Sequence, residues 1–338
     1  MQITTVDPAA GHVLAELHDL VSASYRIDRP HRPPPVLAET TVDWTIGYCG
    51  AELAGLQARL DGRLAGYAAI SLPMADNTFS AELEIVVHPE LRRRGIGRDL
   101  AAAARDRITS YGRKVAIGTA LAGSPGARFA VAVGAAAQQD RFRNVLYLDS
   151  LDSAAVAAGL AEARRRAAGY SLEYLTGPIP AASLADTAAL YDVVNDAPHE
   201  SEALEDEVWT GDRVAAEDRW RAARGETVCT ILARSDATGE PAGMTRLAVR
   251  AAGDLALQLE TAVARPHRGR RLGYLLKASM LGWLGEHAPQ ARRISTFNAV
   301  TNAHMIAVNE ALGFVPVERW TFYELAMSPL GQPPSDGY

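Results

Sequence analysis

The chain has 338 residues, 48% of them hydrophobic and 22% charged, and its 34 basic and 40 acidic side chains give a net charge of −6. That length accommodates two domains with ordinary cores, and the charge disfavours non-specific attraction to nucleic acid or an anionic membrane. Cys49 and Cys229 exclude a disulfide scaffold and have no metal-ligand spacing; with no membrane-length apolar run and no secretory pattern at the N-terminus, the expectation is a cytoplasmic protein.

In chain order, residues 2–5 predict a strand and residues 8–21 a helix, followed by the proline-rich loop 29–35, where fixed φ angles and missing N–H donors forbid regular structure. Residues 44–60 predict another helix, and 62–70 a turn entering a strand. Residues 79–88 predict a strand with Ala81, Leu83, Ile85 and Val87 on one face and Glu82 and Glu84 on the other. A helix ending near Gly112, a strand over 115–121, a short helix after Pro125 and a strand over 143–148 complete the first half. Asp152 or Ser153 caps an alanine-rich helix that Gly169 stops. The order then recurs: a strand from Tyr170, helices near 184–194 and 213–224, strands over 227–233, 242–249 and 255–264, a helix over 274–286, a strand at 294–297, a helix over 303–312 and terminal strands near Val317 and over 322–325. This predicts an α/β fold, an α+β mixed-sheet sandwich in each half: domains over 1–150 and 170–328, a connecting helix over 151–169 and a tail over 329–338.

One pattern occurs in both halves. Glu84-Ile85-Val86-Val87 leads to Arg92-Arg93-Arg94-Gly95-Ile96-Gly97, and Glu260-Thr261-Ala262-Val263 leads to Arg268-Gly269-Arg270-Arg271-Leu272-Gly273. An apolar strand passes into an Arg/Gly turn and then a helix, which presents unpaired backbone N–H groups to a phosphate. Arg268, Arg270 and Arg271 add fixed charge, at about 1.5 kcal/mol for each charge-assisted contact. Neither turn is a clean G-x-G-x-x-G followed by a ribose-binding acid, so a Rossmann reading is disfavoured. His267 and His304 are isolated, and no metal site is expected.

At these residues the chain resembles the GCN5-related N-acetyltransferase family, in two tandem copies, as in the mycothiol synthase type. The family's Q/R-x-x-G-x-G/A turn is matched by Arg92, Gly95 and Gly97, with Arg94 inside it; in the second copy Arg271 takes the middle glycine's place, where a positive φ would favour glycine. The segment from Asn302 to Phe314 resembles the family's N…A..LY..LGF stretch, with Asn309 where a tyrosine often protonates the departing thiolate. The resemblance implies two acyl-CoA N-acyltransferase folds and an acetyl-CoA donor, or another acyl-CoA. Its pyrophosphate would lie on the turns and its pantetheine against the backbone of Ala262 and Val263, or Val86 and Val87 in the first copy. Asn302 would line the coenzyme arm or simply cap its helix.

Direct acetyl transfer to the amine of a small molecule needs a base, and a carboxylate on the central strand suits that task. Glu260 is the preferred base and Glu84 its counterpart. Asn309 can donate a hydrogen bond but cannot serve as an acid; Tyr323 is either a proton donor or part of an aromatic core with Trp320 and Phe322. The acidic stretch 195–200 with Glu202, Glu205, Asp206 and Glu207 is either a wall for a cationic amine or a solvated loop. The expected catalytic half is the C-terminal one; catalysis by the N-terminal half and a non-catalytic coenzyme-binding or regulatory role stand as alternatives. The acceptor's identity, and the choice between monomer and homodimer, stay open.

Overall fold

The computed structural model describes residues 1–30, 32–196, 204–250 and 253–327, and the predicted tail 329–338 lies outside them. The described residues form two compact units, one from 1–139 with 321–327 and one from 140–320.

In the first unit, β1 (Gln2–Thr5), β2 (Glu52–Leu60), β3 (Arg63–Leu72), β4 (Ser80–Val87) and β5 (Val115–Leu121) follow one another in the sheet, all antiparallel except β4 and β5. The next place, beside β5, is taken by β12 (Val315–Ala326). Helix α1 (Gly11–Asp28) covers one face with Leu14, Leu17 and Val21, as their spacing predicts. Helix α3 (Ile96–Ser110) covers the other with Ile96, Leu100, Ala104 and Ile108, against Ala81, Leu83, Ile85 and Val87. The helix expected over 44–60 is instead α2 (Leu37–Thr45) and then β2. Leu53, Leu56 and Leu60 imitate a helical spacing, yet Ala54, Leu56, Ala58 and Leu60 enter the core with period two. Pairing on both edges decides for the strand, because β1 and β3 need its N–H and C=O groups.

In the second unit the order is β7 (Tyr170–Thr176), β8 (Glu226–Ser235), β9 (Pro241–Arg250), β10 (Leu255–Val263), β11 (Arg293–Ala299) and β6 (Ala136–Tyr147). The strand expected to complete the first half therefore pairs antiparallel with β11, from Arg293↔Tyr147 to Ala299↔Arg141. In each unit the sixth place is filled by a strand from the other half of the sequence. Helices α5 (Ser153–Arg166) and α8 (Leu272–His287) bury a core of Leu275, Leu276, Met280 and Trp283 against Leu247, Ala256 and Ile294. Asp152 caps α5, as its sequence predicts. On β9, Leu247 enters that core while its neighbour Arg246 reaches α6 (Leu184–Asp192) and α7 (Gly211–Ala223). Adjacent strand residues point to opposite faces, so α6 and α7 cover the side away from α8.

Candidate active site

Both Arg/Gly turns present bare backbone donors. The N–H groups from Gly269 to Tyr274, and from Arg93 to Arg98, find no backbone or side-chain acceptor among the described residues. Ser, Thr, Asp or Asn at the cap would consume such a donor; here the cap positions are Gly95 and Arg271. Both take the left-handed region, with φ 87° at Gly95 and 59° at Arg271, so the second turn keeps its shape without the glycine.

The motif arginines do not stand free. Arg268 Nε donates to the Val263 carbonyl at 2.9 Å and its guanidinium pairs with Asp196 at 2.5 Å. Arg92 repeats this with the Val87 carbonyl at 3.2 Å and Asp28 at 2.8 Å. Arg265 and Arg268 together hold the Asp196 carboxyl down to about 2. Asp196, read from sequence as part of an acidic wall, thus neutralises charge at the turn. Asn195 bonds to the backbone of Glu207, whose carboxylate accepts from Trp209 Nε1 at 3.1 Å and from Arg213 at 2.9 Å. His199, Glu200 and Glu202 lie outside the described residues. Arg270 lies over the Tyr170 ring and Arg271 over the Tyr274 ring, at 5.6 and 5.1 Å.

Strand β10 leaves β11 early. Their parallel pairing runs from Leu255↔Arg293 to Leu257↔Ser295, while both strands continue, β10 to Val263 and β11 to Ala299. An opening follows, with Ala262 and Val263 on its β10 wall and paired on their other edge with Met244 and Gly243. Gly243 is needed there: a Cβ would stand 2.8 Å from the Ala262 carbonyl oxygen. Gly66 has the same relation, also at 2.8 Å, to the Val86 carbonyl. The first unit's opening is built alike, since pairing of β4 with β5 stops at Glu82↔Ile117.

The two openings differ at the glutamates. In β10 the register shifts between Gln258 and Thr261, so that Leu259 and Glu260 stand opposite Arg246 alone, which is a bulge. β4 runs in regular register, with Glu84 opposite Ala69 and bonded to Tyr67 at 2.9 Å. The bulge delivers Glu260 to a charged cluster. Its Oε2 accepts from Tyr191 at 3.2 Å; Tyr191 also reaches Glu217 and receives a bond from Arg246. Arg246, fully buried, donates to Glu217 at 2.6 Å and to Asp218, while Arg221 donates to Glu217 at 2.7 Å. Trp209 stacks on Tyr191 at 3.8 Å between centroids.

These surroundings separate the two carboxyls. Burial pushes Glu217 up, but Arg246 and Arg221 outweigh it and hold it below the ordinary range. Burial raises Glu260, and the neighbouring Glu217 charge raises it further against the pull of Arg246. Divergent carboxyls in one cluster are how acid–base roles become assigned.

Asn302 caps α9 (Ala303–Ala311) by accepting from Met305 N–H at 3.2 Å. Asn309 is buried; its Oδ1 accepts from Lys277 Nζ at 2.5 Å and its Nδ2 donates to Asn298 at 2.7 Å. Burial lowers Lys277 to about 7. Tyr323 belongs to the first unit, where it packs on Ala120 and Ala127. Tyr191, Glu217, Arg246 and Lys277 escaped the sequence reading. Arg246 and Lys277 carried a usable signal, a single charge inside a long apolar stretch, because such residues are buried only with partners.

The sequence profile of the acetyltransferase (GNAT) family matches residues 14–132 and 189–314. The chain belongs to this family. No curated protein matches it. Among solved structures, this GNAT protein is similar to a tandem GNAT protein from the clavulanic acid biosynthesis pathway, solved without AcCoA, at 29% identity and a TM-score of 0.83, over 98% of this chain and 99% of that one. It shares its fold with a GCN5-related N-acetyltransferase from Sphaerobacter thermophilus, at 16% identity, TM-score 0.66 and 97% and 96% coverage. A glucosamine N-acetyltransferase region of a fungal multi-domain GH3 β-N-acetylglucosaminidase matches at 13% identity and TM-score 0.66, over 96% of this chain and 38% of that one. It is a tandem GNAT acyltransferase enzyme, and no described helix is long and apolar enough to cross a membrane.

Proposed function

We propose that the second unit transfers an acetyl group from acetyl-CoA to the amine of a small molecule, with Glu260 as general base, and that the first unit supports it. The observation that carries this reading is the bulge at Leu259 and Glu260, which brings a carboxyl of raised pKa to the opening between β10 and β11. The exposed N–H groups from Gly269 through Gly273, in the turn that Arg268 opens, suit a diphosphate, and Ala262 and Val263 offer strand edges to an amide-bearing arm. Arg268 contributes by shaping the turn through the Val263 carbonyl. Asn302 caps the helix beside the arm. Val86, Val87, Arg92, Arg94, Gly95 and Gly97 give the first unit a comparable turn, which makes it a second coenzyme site.

Glu260 takes the proton of the attacking amine, while Tyr191, Arg246 and Arg221 hold the neighbouring Glu217 as a fixed anion that keeps Glu260 basic. A screen of small amines with acetyl-CoA, reading free thiol, tests the reading. Glu260→Gln is expected to slow release by about 10²–10⁴-fold, and equal turnover in Glu260→Gln and wild type, with loss in Glu84→Gln, would move catalysis to the first unit.

A further inference from the structure

Resting on that acetyl-transfer reading, we propose that Lys277, held by Asn309, gives the departing sulfur of the donor its proton. Lys277 sits on α8 and is 3% exposed, yet among the described residues its ammonium has one hydrogen-bond acceptor, Asn309 Oδ1, and no carboxylate partner. The Phe314 ring lies 5.1 Å away. An ammonium has three donors, so two are left for a ligand. Buried lysines otherwise lie beside counter-charges or lose their proton, and burial brings this one to about 7.

The neighbours point the lysine to the opening. Asn309 donates to Asn298, which lies on the stretch of β11 that has already left β10, and Asn298 also accepts from Asn144 at 3.2 Å. Lys277 approaches this wall from the face covered by α8 and α9. Glu260 approaches the opposite wall from the face covered by α6 and α7, since its partner is Tyr191. The entering amine and the departing sulfur are separate substituents of the tetrahedral acyl carbon, so a base and an acid reaching it from different elements can serve the two proton transfers.

In the step, the amine nitrogen bonds to the acyl carbon and the carbon–sulfur bond breaks with its electron pair passing to sulfur. Lys277 Nζ gives that sulfur a proton. Glu260 holds the proton lost by the amine and releases it to solvent, from which Lys277 is recharged, so the protons balance. Asn309 is a positioning residue: its carbonyl orients the ammonium, and its own amide donates elsewhere.

Two measurements test this. The first is an equilibrium one: free coenzyme A is bound to the protein and its thiolate absorbance is followed against pH. A thiolate beside Lys277 holds it in the ammonium form and the ammonium in turn stabilises the thiolate, so the bound thiol of the coupled pair is expected to titrate at least about one unit below free coenzyme A, and Lys277→Met is expected to restore the free value. The second compares donors: Lys277→Met is expected to slow release from acetyl-CoA about 10²-fold, yet to match wild type within about twofold for an acetyl thioester of an acidic aryl thiol, which leaves without a proton. A purely structural role would slow both donors equally, and that result overturns the proposal. Bound coenzyme with an unshifted thiol in wild type overturns it as well, which keeps the test decisive even if Lys277→Met does not fold. Absence of coenzyme binding to wild type defeats the acetyl-transfer reading itself.

Discussion

Glu260 shows how a single side chain acquires its chemistry from position. Alone on a strand it would be an ordinary carboxylate; surrounded by protein and beside the Glu217 anion, it holds a proton to higher pH. Glu260→Gln is expected to lower kcat by about 10²–10⁴-fold with the coenzyme's Kd unchanged within about twofold, read by stopped-flow and calorimetry. A base works when deprotonated, so the acidic limb of kcat should lie above the usual carboxylate range near about 4.3. Glu217→Gln removes a like charge and should shift that limb to lower pH, read from a full pH profile. At Arg271 the question is strain. Left-handed backbone costs a residue with a Cβ about 1–2 kcal/mol, and glycine returns about 0.4–1 kcal/mol through its freer unfolded chain. Arg271→Gly is therefore expected to raise stability by up to about 1.6 kcal/mol in urea titration. A clear loss would show that stacking on Tyr274 outweighs the strain.

At the scale of elements, the turn and the parted strands matter more than any one residue. The strand–turn–helix pattern was legible, because apolar alternation, an Arg/Gly cluster and a helical run lie next to one another in sequence. Its charge state was not. Asp196 lies far from Arg268 along the chain, and only folding sets their pairing. Asp196→Asn should free two guanidinium groups beside the turn and tighten coenzyme binding about three- to tenfold at low ionic strength. That gain should disappear at about 0.5 M salt, where screening is nearly complete. Equal affinity at low salt would show that the arginines do not sense the phosphates. The bulge was equally hidden, since Glu84 and Glu260 occupy equal places in the two sequence patterns. Register distinguishes them, shifted for β10 against β9 and regular for β4 against β3, and register is a property of pairs of strands.

For the whole molecule, the two sequence halves are not the two compact units. Residues 321–326 stand beside β5, and Leu325 and Met327 join the first unit's core. A fragment of residues 1–150 should therefore leave β5 with an uncovered edge and lack cooperative thermal unfolding by circular dichroism. The same fragment extended by a linker and residues 315–327 should regain a sharp transition. Cooperative melting of the short fragment would show that the strand is dispensable.

By itself, the sequence determined the duplication, the alternation of strands and helices and both turns, because each rests on residues close together in the chain. Tertiary structure alone decided which strand takes the sixth place in each unit, that Tyr323 packs on Ala120 and Ala127, that Tyr191, Glu217 and Arg246 gather beside Glu260, and that Lys277 meets Asn309. Those outcomes depend on hydrogen-bond edges and buried charges finding partners from distant segments, and no local pattern records which partner is reached first in space.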